Sequence, residues 1–449
     1  MTLCDLRYYI CFPDYYKMKK TVFLLFVILL AIKATAQTEP IDYAAAVNKF
    51  RAFYNSDMPD SIYKMFGPEM KKALTFDDFK STTTQLKTQF GNIKQTTFTS
   101  YTSPVAVYKT SFQNSALSLS ISLNKENKIA GLLLSPYQQP VAANALTGAP
   151  VDPSITESPI IFKSLSGSIH GTLAIPKNAT GKVPVVLIIA DSGPIDRNGY
   201  SEKLGINDNT YKLMAEGLGK SGIASVRFDK RMVGESTTNN KLADLRFDDY
   251  VDDAVGLIDM LNDDQRFSKV IVLGHGEGSL VGMLACHDQP VKAFISVSGT
   301  SDQGDKFITN QLKSRSQFIQ DGFKTLLDSL KKGKTIDNID PALYFIASPA
   351  KQRYLMSYCK YQPLREIKKV KAPVLIIQGA TDLQVTVDDA TKLKKSKSDA
   401  ILTIIPGMNH ILKEAPADKD QNLATYNKPD LPLKPELIPA IADFINKLN

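Results

Sequence analysis

The sequence predicts an α/β fold with a mostly parallel sheet, preceded by a smaller α+β domain. Three patterns support this. Between residues 116 and 123, leucine and isoleucine alternate with serine, the period of a strand with one buried face. From residue 160 onward, continuous apolar runs alternate with helical segments, as in parallel strands that helices cover on both sides. Residues 270–282 combine an apolar strand, a glycine-rich turn and a helix.

The composition is that of an ordinary folded protein. Of the 449 residues, 43% are hydrophobic and 22% charged, and the chain is long enough for two or three domains. The formal net charge of +8 comes from scattered lysines and arginines. Because no basic block is interleaved with aromatic residues, we expect a solvated basic surface and no nucleic-acid partner.

Residues 1–36 have the pattern of a secretory signal peptide. Met18-Lys19-Lys20 is a basic start, Thr21 to Ile32 is an apolar run, and Ala34-Thr35-Ala36 is an A-x-A cleavage site. The run is short for a membrane span, which needs about 20 residues. We therefore predict export to the periplasm or the extracellular space, with Met18 as the true start and no membrane contact after cleavage. An uncleaved N-terminal anchor is the alternative.

Cysteine content agrees with a fold that needs no disulfide framework. Cleavage after Ala36 leaves only Cys286 and Cys359, too few to staple so long a secreted chain. Cys286 lies in an apolar stretch, so we expect a buried thiol.

Residues 40–137 are predicted to form the small α+β domain. Helices are expected from Tyr43 and from Phe76 to Phe90. Four strands follow, at 93–101, 105–112, 116–123 and 129–134. This order of elements resembles the nuclear transport factor 2-like domains, and we expect a structural or substrate-shaping accessory role. Residues 138–154, rich in Gln, Ala, Gly and Pro, are the predicted linker.

Residues 155–449 are predicted to form the larger α/β domain. Its strand candidates are 160–165, 172–175, 183–190, 224–229, 269–274, 292–297, 374–378 and 401–405. The first two strands follow each other without a helix, which indicates an antiparallel edge. Between about 300 and 372 the alternation stops, and the stretches 307–330 and 341–358 look helical.

The turn after the strand 269–274 reads Gly274-His275-Gly276-Glu277-Gly278. In α/β-hydrolases this position carries Gly-x-Ser-x-Gly, with the serine as nucleophile on a sharp turn. The frame is present here, but its centre is Gly276. In the same enzymes, a helical insertion such as 300–372 forms a lid over the site; a packed helical subdomain without a role at the site is the alternative.

His410 and Asp382 are the candidates for the base and the acid that orients it. The chain order in α/β-hydrolases is nucleophile, acid, histidine, and of four histidines only His410 follows the last strand. Asp382 comes just after the strand 374–378, at the edge of the sheet where open α/β folds bind ligands. An ordinary loop histidine and a turn-capping aspartate are the alternatives, and Asp388 and Asp389 are weaker candidates for the acid.

An oxyanion site requires backbone N–H groups aimed at the developing negative charge. We expect one from Glu277, which follows the nucleophile position. The loop after the strand 183–190 is expected to provide the second, from Ser192. A plain surface loop is the alternative for the turn-rich string from Ser192 to Gly199.

Several motifs together resemble secreted bacterial α/β-hydrolases of the carboxylesterase type. They are Ser-Gly-Pro-Ile-Asp-Arg-Asn-Gly at 192–199, Arg-Phe-Asp-Lys-Arg at 227–231 with Gly-Glu-Ser at 234–236, the Gly-His-x-Glu-Gly turn, Asp-Leu-Gln-Val at 382–385 and Asn-His at 409–410. The resemblance spans about residues 155–449. It implies hydrolysis of carboxylic esters with short acyl chains, so that a small ester or acyl compound is the expected partner, with no cofactor.

Gly276 departs from that family at the centre of the mechanism, because glycine carries no nucleophile. Five alternatives remain: Ser279 as a substitute nucleophile, water activated by His410, a pseudo-enzyme that binds acyl compounds, a site altered in this particular sequence, and a dinucleotide site built on the glycines. Ser279 lies about one helical turn beyond the bend. The dinucleotide pattern lacks its third glycine and its acidic residue at the next strand. No spacing of His, Cys and carboxylates matches a metal site.

Overall fold

The computed structural model describes residues 38–136, 152–313, 315–337, 339–340 and 343–448. The predicted signal peptide and most of the predicted linker therefore lie outside the described residues. The first part of the chain is a layer of helices followed by four strands. Its elements are α1 (Ile41–Asn55), α2 (Pro59–Met65), α3 (Pro68–Ala73), α4 (Phe76–Phe90), β1 (Ile93–Thr102), β2 (Val105–Phe112), β3 (Ala116–Leu123) and β4 (Ile129–Pro136).

These four strands form one antiparallel sheet in the order β1-β2-β3-β4. Along most of β2 and β3, buried and half-buried residues alternate, as the leucine–serine pattern predicted. Val47 and Phe50 of α1 share an apolar core with Leu119 and Ile121 of β3. The helices thus cover one face of the sheet, which confirms the small α+β architecture.

The second part begins with strands and then alternates strands with helices. Its first elements are β5 (Ile155–Ser164), β6 (Gly167–Pro176), β7 (Val183–Ile189), β8 (Tyr200–Ser201), β9 (Ile206–Asn207), α5 (Thr210–Lys220), β10 (Ala224–Phe228), β11 (Thr237–Thr238), α6 (Phe247–Asp263), β12 (Phe267–His275), α7 (Glu277–Ala285) and β13 (Ala293–Val297). The remaining elements are α8 (Gly304–Leu312), α9 (Gln317–Lys331), α10 (Tyr344–Ala347), α11 (Gln352–Tyr358), α12 (Pro363–Lys369), β14 (Val374–Gly379), α13 (Val387–Ser396), β15 (Ile401–Ile405), α14 (Lys419–Leu423) and α15 (Leu437–Asn446).

One mixed sheet organises this part. The strand β5 pairs with β6, and the path continues β6-β10-β7-β12-β13-β14-β15. The β5–β6 and β6–β10 pairs are antiparallel, and every pair from β10–β7 to β14–β15 is parallel. The short β11 extends the pairing along β6. The predicted antiparallel edge and mostly parallel sheet are therefore confirmed.

Helices cover both faces of the sheet, which explains why its strands are continuously apolar. In β12, Val270 and Val272 lie in the core beneath α6 and α7, whereas Ile271 and Leu273 lie in the core beneath α5 and α15. Both faces of a parallel strand are thus removed from water.

The insertion between β13 and β14 contains the helices α8 to α12. The prediction of one helical stretch over 307–330 is wrong in one respect, because α8 and α9 are separate helices. Ser316 has an extended backbone (φ −56°, ψ 151°) directly before α9, so helical hydrogen bonding cannot run through it. The insertion has its own apolar core, in which Phe323 and Leu326 of α9 meet Leu355 of α11.

The parallel strands end at one edge of the sheet, and the candidate residues follow those ends. Gly274 of β12 pairs with Ile189 of β7, so Gly276 and Asp191 each lie two residues beyond a paired position. Asp382 follows β14 and His410 follows β15. This edge is where open α/β sheets bind ligands.

Candidate active site

Gly276 forms the bend between β12 and α7. Its backbone has φ 55° and ψ −119°, a left-handed conformation that costs a residue with a side chain about 1–3 kcal/mol. Flanking glycines allow the bend to be tight. A Cβ on Gly274 would lie 2.1 Å from the carbonyl oxygen of Gly278, and a Cβ on Gly278 would lie 2.4 Å from that of Ile189. The local backbone is thus that of a strand–bend–helix unit with no side chain at its tip.

Asp382 and His410 are in direct contact. The carboxylate Oδ2 of Asp382 lies 2.9 Å from Nδ1 of His410, and both side chains are buried. The other oxygen, Oδ1, accepts hydrogen bonds from the backbone N–H groups of Gln384 (2.8 Å) and Val385 (3.0 Å). Burial alone would raise the pKa of Asp382, but the charge of His410 and these hydrogen bonds hold it below its usual range. The carboxylate is therefore fixed and charged beside the imidazole.

Asp191 fills the place that Gly276 leaves open. Its Oδ2 lies 2.9 Å from Nε2 of His410, and its Oδ1 accepts a hydrogen bond of 2.8 Å from the backbone N–H of Glu277. A Cβ built on Gly276 would lie 1.9 Å from Oδ1 and 2.3 Å from Cγ of Asp191. The carboxylate thus occupies the volume of a side chain at position 276 and meets the same imidazole nitrogen that a serine hydroxyl would meet.

The role of Asp191 was not predicted from the sequence, because the loop after β7 was considered only as a source of backbone donors. The information was present in the strand pattern. Adjacent parallel strands that end level with each other place residues 191 and 276 side by side. When the tip of the bend is glycine, a side chain from the neighbouring strand end has room to enter.

The three side chains form a charged row of carboxylate, imidazolium and carboxylate. Burial would lower the pKa of His410, but the charges of Asp382 and Asp191 and their hydrogen bonds raise it well above its ordinary value. Burial would raise the pKa of Asp191, but the hydrogen bond and charge of His410 outweigh it and lower the pKa. At neutral pH His410 is therefore protonated at both ring nitrogens and donates to both carboxylates.

A second row of hydrogen bonds holds in place the loop after β7, which carries Asp191, and the loop after β15, which carries His410. Nε2 of His275 lies 2.8 Å from the carbonyl oxygen of His410, which can only accept, so this nitrogen carries the proton. The hydroxyl of Tyr211 lies 2.9 Å from Nδ1 of His275 and accepts the backbone N–H of Asp191 at 2.8 Å. Burial lowers the pKa of His275 to about 4, so its ring stays neutral and keeps this donor–acceptor pattern. The backbones of residues 191 and 410 are thereby tied together.

Asp191 and His410 of the charged row line a pocket of about 170 Å³ next to the helical insertion. Its floor is polar, and its walls carry apolar and aromatic side chains from α8 and α11. The lining residues are Asp191, Ser192, Gly276, Glu277, Thr300, Phe307, Ile308, Gln311, Tyr354, Leu355, Tyr358, Gln384, Val385 and His410. The insertion thus forms part of the pocket wall.

The two predicted oxyanion donors lie at this pocket. The N–H of Glu277 points at Asp191, as its hydrogen bond to Oδ1 requires. Ser192 lies in the pocket wall, and its use as the second donor stays a prediction. Lys230 was not foreseen: its ammonium group donates to the backbone carbonyl of Asp191 and lies 3.7 Å from the buried carboxyl group of Glu277.

Ser279 lies away from the pocket. It is buried, and its hydroxyl lies 2.6 Å from the hydroxyl of Ser296 in β13. Asp388 and Asp389 lie in α13; Asp389 binds Ser301 and Thr386 rather than His410. Cys286 is buried, and burial raises the pKa of its thiol. Among the described residues, no group of His, Cys, Asp and Glu side chains is arranged to hold a metal ion.

Comparisons with known proteins agree with this architecture. A family model described as serine aminopeptidase, S33, matches residues 199–342, and a family described as a protein of unknown function (DUF3887) matches residues 47–132. Esterase EstD of Thermotoga maritima is 26% identical over 306 residues, which are 67% of this chain and 70% of that protein.

Solved structures resemble parts of the chain. Est1E from Butyrivibrio proteoclasticus with bound ferulic acid has 20% identity and a TM-score of 0.46, and the match covers 64% of this chain and 98% of that one. A hypothetical protein from Pseudomonas aeruginosa has 15% identity and a TM-score of 0.48, and the match covers 71% of this chain and 100% of that one.

The order of the sheet and the family match define the class by its fold: the chain has an α/β-hydrolase fold, and it is similar to the serine aminopeptidase, S33, family and to esterase EstD. Within that class it is a chain with glycine at the tip of the bend and with a carboxylate from the neighbouring loop in its place. No helix among the described residues is both long enough and apolar enough to span a membrane.

Proposed function

We propose that this protein is exported and binds a small carboxylic ester or acyl compound in the pocket next to the helical insertion, with ester hydrolysis lost or very slow. The observation that carries the proposal is the position of the Asp191 carboxylate, which fills the volume of the absent serine and pairs with His410. Binding surfaces for an ester remain around a site whose usual attacking atom is missing.

The pocket supports a ligand with a short acyl chain. Its volume of about 170 Å³ is below the usual range of small-molecule pockets, which begins at about 300 Å³. Phe307, Leu355 and Tyr358 supply apolar contact area, while the charged row provides a polar end. A small molecule with one apolar and one polar end fits this distribution.

Two features argue against serine-type turnover. The first is Gly276 itself, since loss of the serine from a serine–histidine–aspartate enzyme lowers kcat on the order of 10⁶-fold. The second is the charge state of His410. A general base must be able to accept a proton, and this imidazole already holds one between two carboxylates. Both features favour a ligand-binding role over rapid ester hydrolysis.

Export rests on the sequence pattern of residues 18–36. The test is N-terminal sequencing of the protein recovered from the periplasm or the culture medium of its natural host. We expect a first residue of Gln37; recovery of the intact N-terminus from the cytoplasm would contradict export.

Residual ester hydrolysis is tested with p-nitrophenyl acetate and butyrate. The matched control is His410→Ala, which removes the imidazole. We expect the two proteins to differ little, and release of nitrophenol by the native chain far above the control would contradict the loss of hydrolysis. Ligand binding is measured by calorimetry with a short-chain methyl ketone, an uncleavable analogue of an ester. Absence of binding would contradict the proposed ligand class.

A further inference from the structure

We propose that Asp191 is a covalent nucleophile toward saturated carbon, and that the site hydrolyses small alkyl electrophiles, such as primary alkyl halides, through an aspartyl ester. This activity goes beyond the proposed function: it uses the same pocket but does not require turnover of esters.

The position of Asp191 is that of an attacking group. Its Oδ2 lies 2.9 Å from Nε2 of His410, within the range of the hydrogen bond between a nucleophile and its base, and the residue lines the pocket. The overlap with a Cβ at position 276 places the carboxylate at the tip of the bend rather than beside it. A ligand in the pocket would therefore meet a carboxylate oxygen where related enzymes present a hydroxyl.

A carboxylate in this position suits alkyl carbon better than acyl carbon. Attack on an ester carbonyl would give an anhydride through a tetrahedral intermediate, and that intermediate would expel the carboxylate again because it is a better leaving group than an alkoxide. At a saturated carbon, one carbon–oxygen bond forms while the carbon–halogen bond breaks, and the electron pair leaves with the halide. The product is a stable ester between Asp191 and the alkyl group.

The rest of the site is equipped to hydrolyse that ester. Its carbonyl oxygen would be Oδ1, which already lies 2.8 Å from the N–H of Glu277. A donor at this distance stabilises the negative charge that develops when water attacks Cγ. His410, oriented by Asp382, would take a proton from the attacking water. The alcohol leaves, the carboxylate of Asp191 is restored, and one proton goes to solvent.

Alkylation of Asp191 also removes one negative charge beside His410, as the second half of the reaction requires. The ester of Asp191 is neutral, so His410 loses one of the two carboxylates that hold its proton. The imidazole can then release that proton and act as a base during the second half of the reaction. The same pairing that makes His410 a poor base in the free protein is thus removed by the first chemical step.

The experiment uses the full chain with 1-bromobutane as the probe. We expect release of bromide and 1-butanol by the native protein and loss of both in Asp191→Asn, which keeps the size of the side chain. His410→Gln should form the ester but fail to hydrolyse it. Intact mass should then rise by one butyl group in place of one proton, and peptide mapping should locate that group on Asp191.

Isotope labelling separates this route from direct attack of water on the alkyl carbon. Turnover in ¹⁸O-water should place the label in the carboxylate of Asp191 first, whereas direct attack labels only the alcohol. Far-ultraviolet circular dichroism and thermal melts establish that each variant is folded. Bromide release that is equal in folded Asp191→Asn, or absence of the adduct in folded His410→Gln, would overturn the proposal. Calorimetry with the methyl ketone is unaffected by that outcome, so failure here leaves the acyl-binding proposal to its own test.

Discussion

Serine can be restored at position 276, and the structure indicates what else must change. In Gly276→Ser, the new Cβ would lie 1.9 Å from Oδ1 of Asp191, far inside van der Waals contact. The carboxylate must therefore leave, and its hydrogen bonds to Glu277 and His410 are lost with it. The single variant also bears the cost of a side chain at φ 55°, about 1–3 kcal/mol. We expect it to be destabilised and at most weakly active.

The double variant Gly276→Ser with Asp191→Ala removes the conflict, because alanine at 191 keeps only a Cβ that is already present. It frees the N–H of Glu277 and leaves Asp382 as the carboxylate beside His410. The pKa of His410 should fall, so that the imidazole can serve as a base. Since the serine accounts for a factor on the order of 10⁶ in kcat, recovery of even a small part is measurable.

The assay is hydrolysis of p-nitrophenyl acetate and butyrate by four proteins: native, each single variant and the double variant. We expect a clear gain only in the double variant, and we expect the further change His410→Ala to remove that gain. Thermal melts should show that Gly276→Ser alone has the lower melting temperature of the two serine variants. A folded but inert double variant would refute the assignment of the bend, of His410 and of Asp382 together.

Three further predictions concern charge and shape. The folded-state pKa of His410 is raised, so the contribution of this residue to stability is full below about pH 6.5 and is lost as the pH rises through the folded-state pKa. Urea unfolding measured across pH should show this loss at higher pH in the native protein than in Asp191→Asn. Coincident pH profiles of the two proteins would contradict the ion pair. The pKa of His275 is lowered to about 4, so the contribution of this residue to stability is full above about pH 6.5 and is lost as the pH falls toward 4. Proton NMR should show no titration of this ring between pH 5 and 7. A midpoint near pH 6.5 would contradict its burial. Leu355→Ala should enlarge the pocket and shift binding toward ketones with longer chains. The control Leu326→Ala, which lies in the same insertion but not in the pocket lining, should lower stability without that shift. An equal shift in both variants would contradict the assignment of Leu355 to the pocket wall.

Much of the fold could be predicted from hydrophobic patterning. In the strand β3, leucine and isoleucine alternate with serine because one face of the strand is covered, and the strand β12 is continuously apolar because two helix layers enclose it. The break between α8 and α9 was missed because both helices and the residues between them are similarly polar. A backbone change at Ser316 leaves little trace in such a pattern.

The candidate site was only partly accessible to sequence reasoning. Chain order and loop position selected Asp382 and His410, and the structure places their side chains in contact; their catalytic roles stay a prediction. Asp191 was not predicted because its importance depends on the side chain that is absent at Gly276, after the neighbouring strand β12. Local motifs describe residues that are present, whereas the fit of Asp191 against Gly276 depends on register across the sheet. The neutral tautomer of His275 likewise depends on burial and on a distant carbonyl group.

The level ends of β7 and β12 have a consequence for how such a chain can be altered one residue at a time. Positions 191 and 276 share the volume of a single side chain, so a larger residue at one position requires a smaller residue at the other. A change from a serine at the bend to the present arrangement by single substitutions passes through a variant that has a side chain at both positions or at neither. In the first variant the shared volume is overpacked, and in the second it is a cavity. The two positions therefore behave as one two-residue unit, and libraries that vary only one of them will sample mostly those unfavourable intermediates.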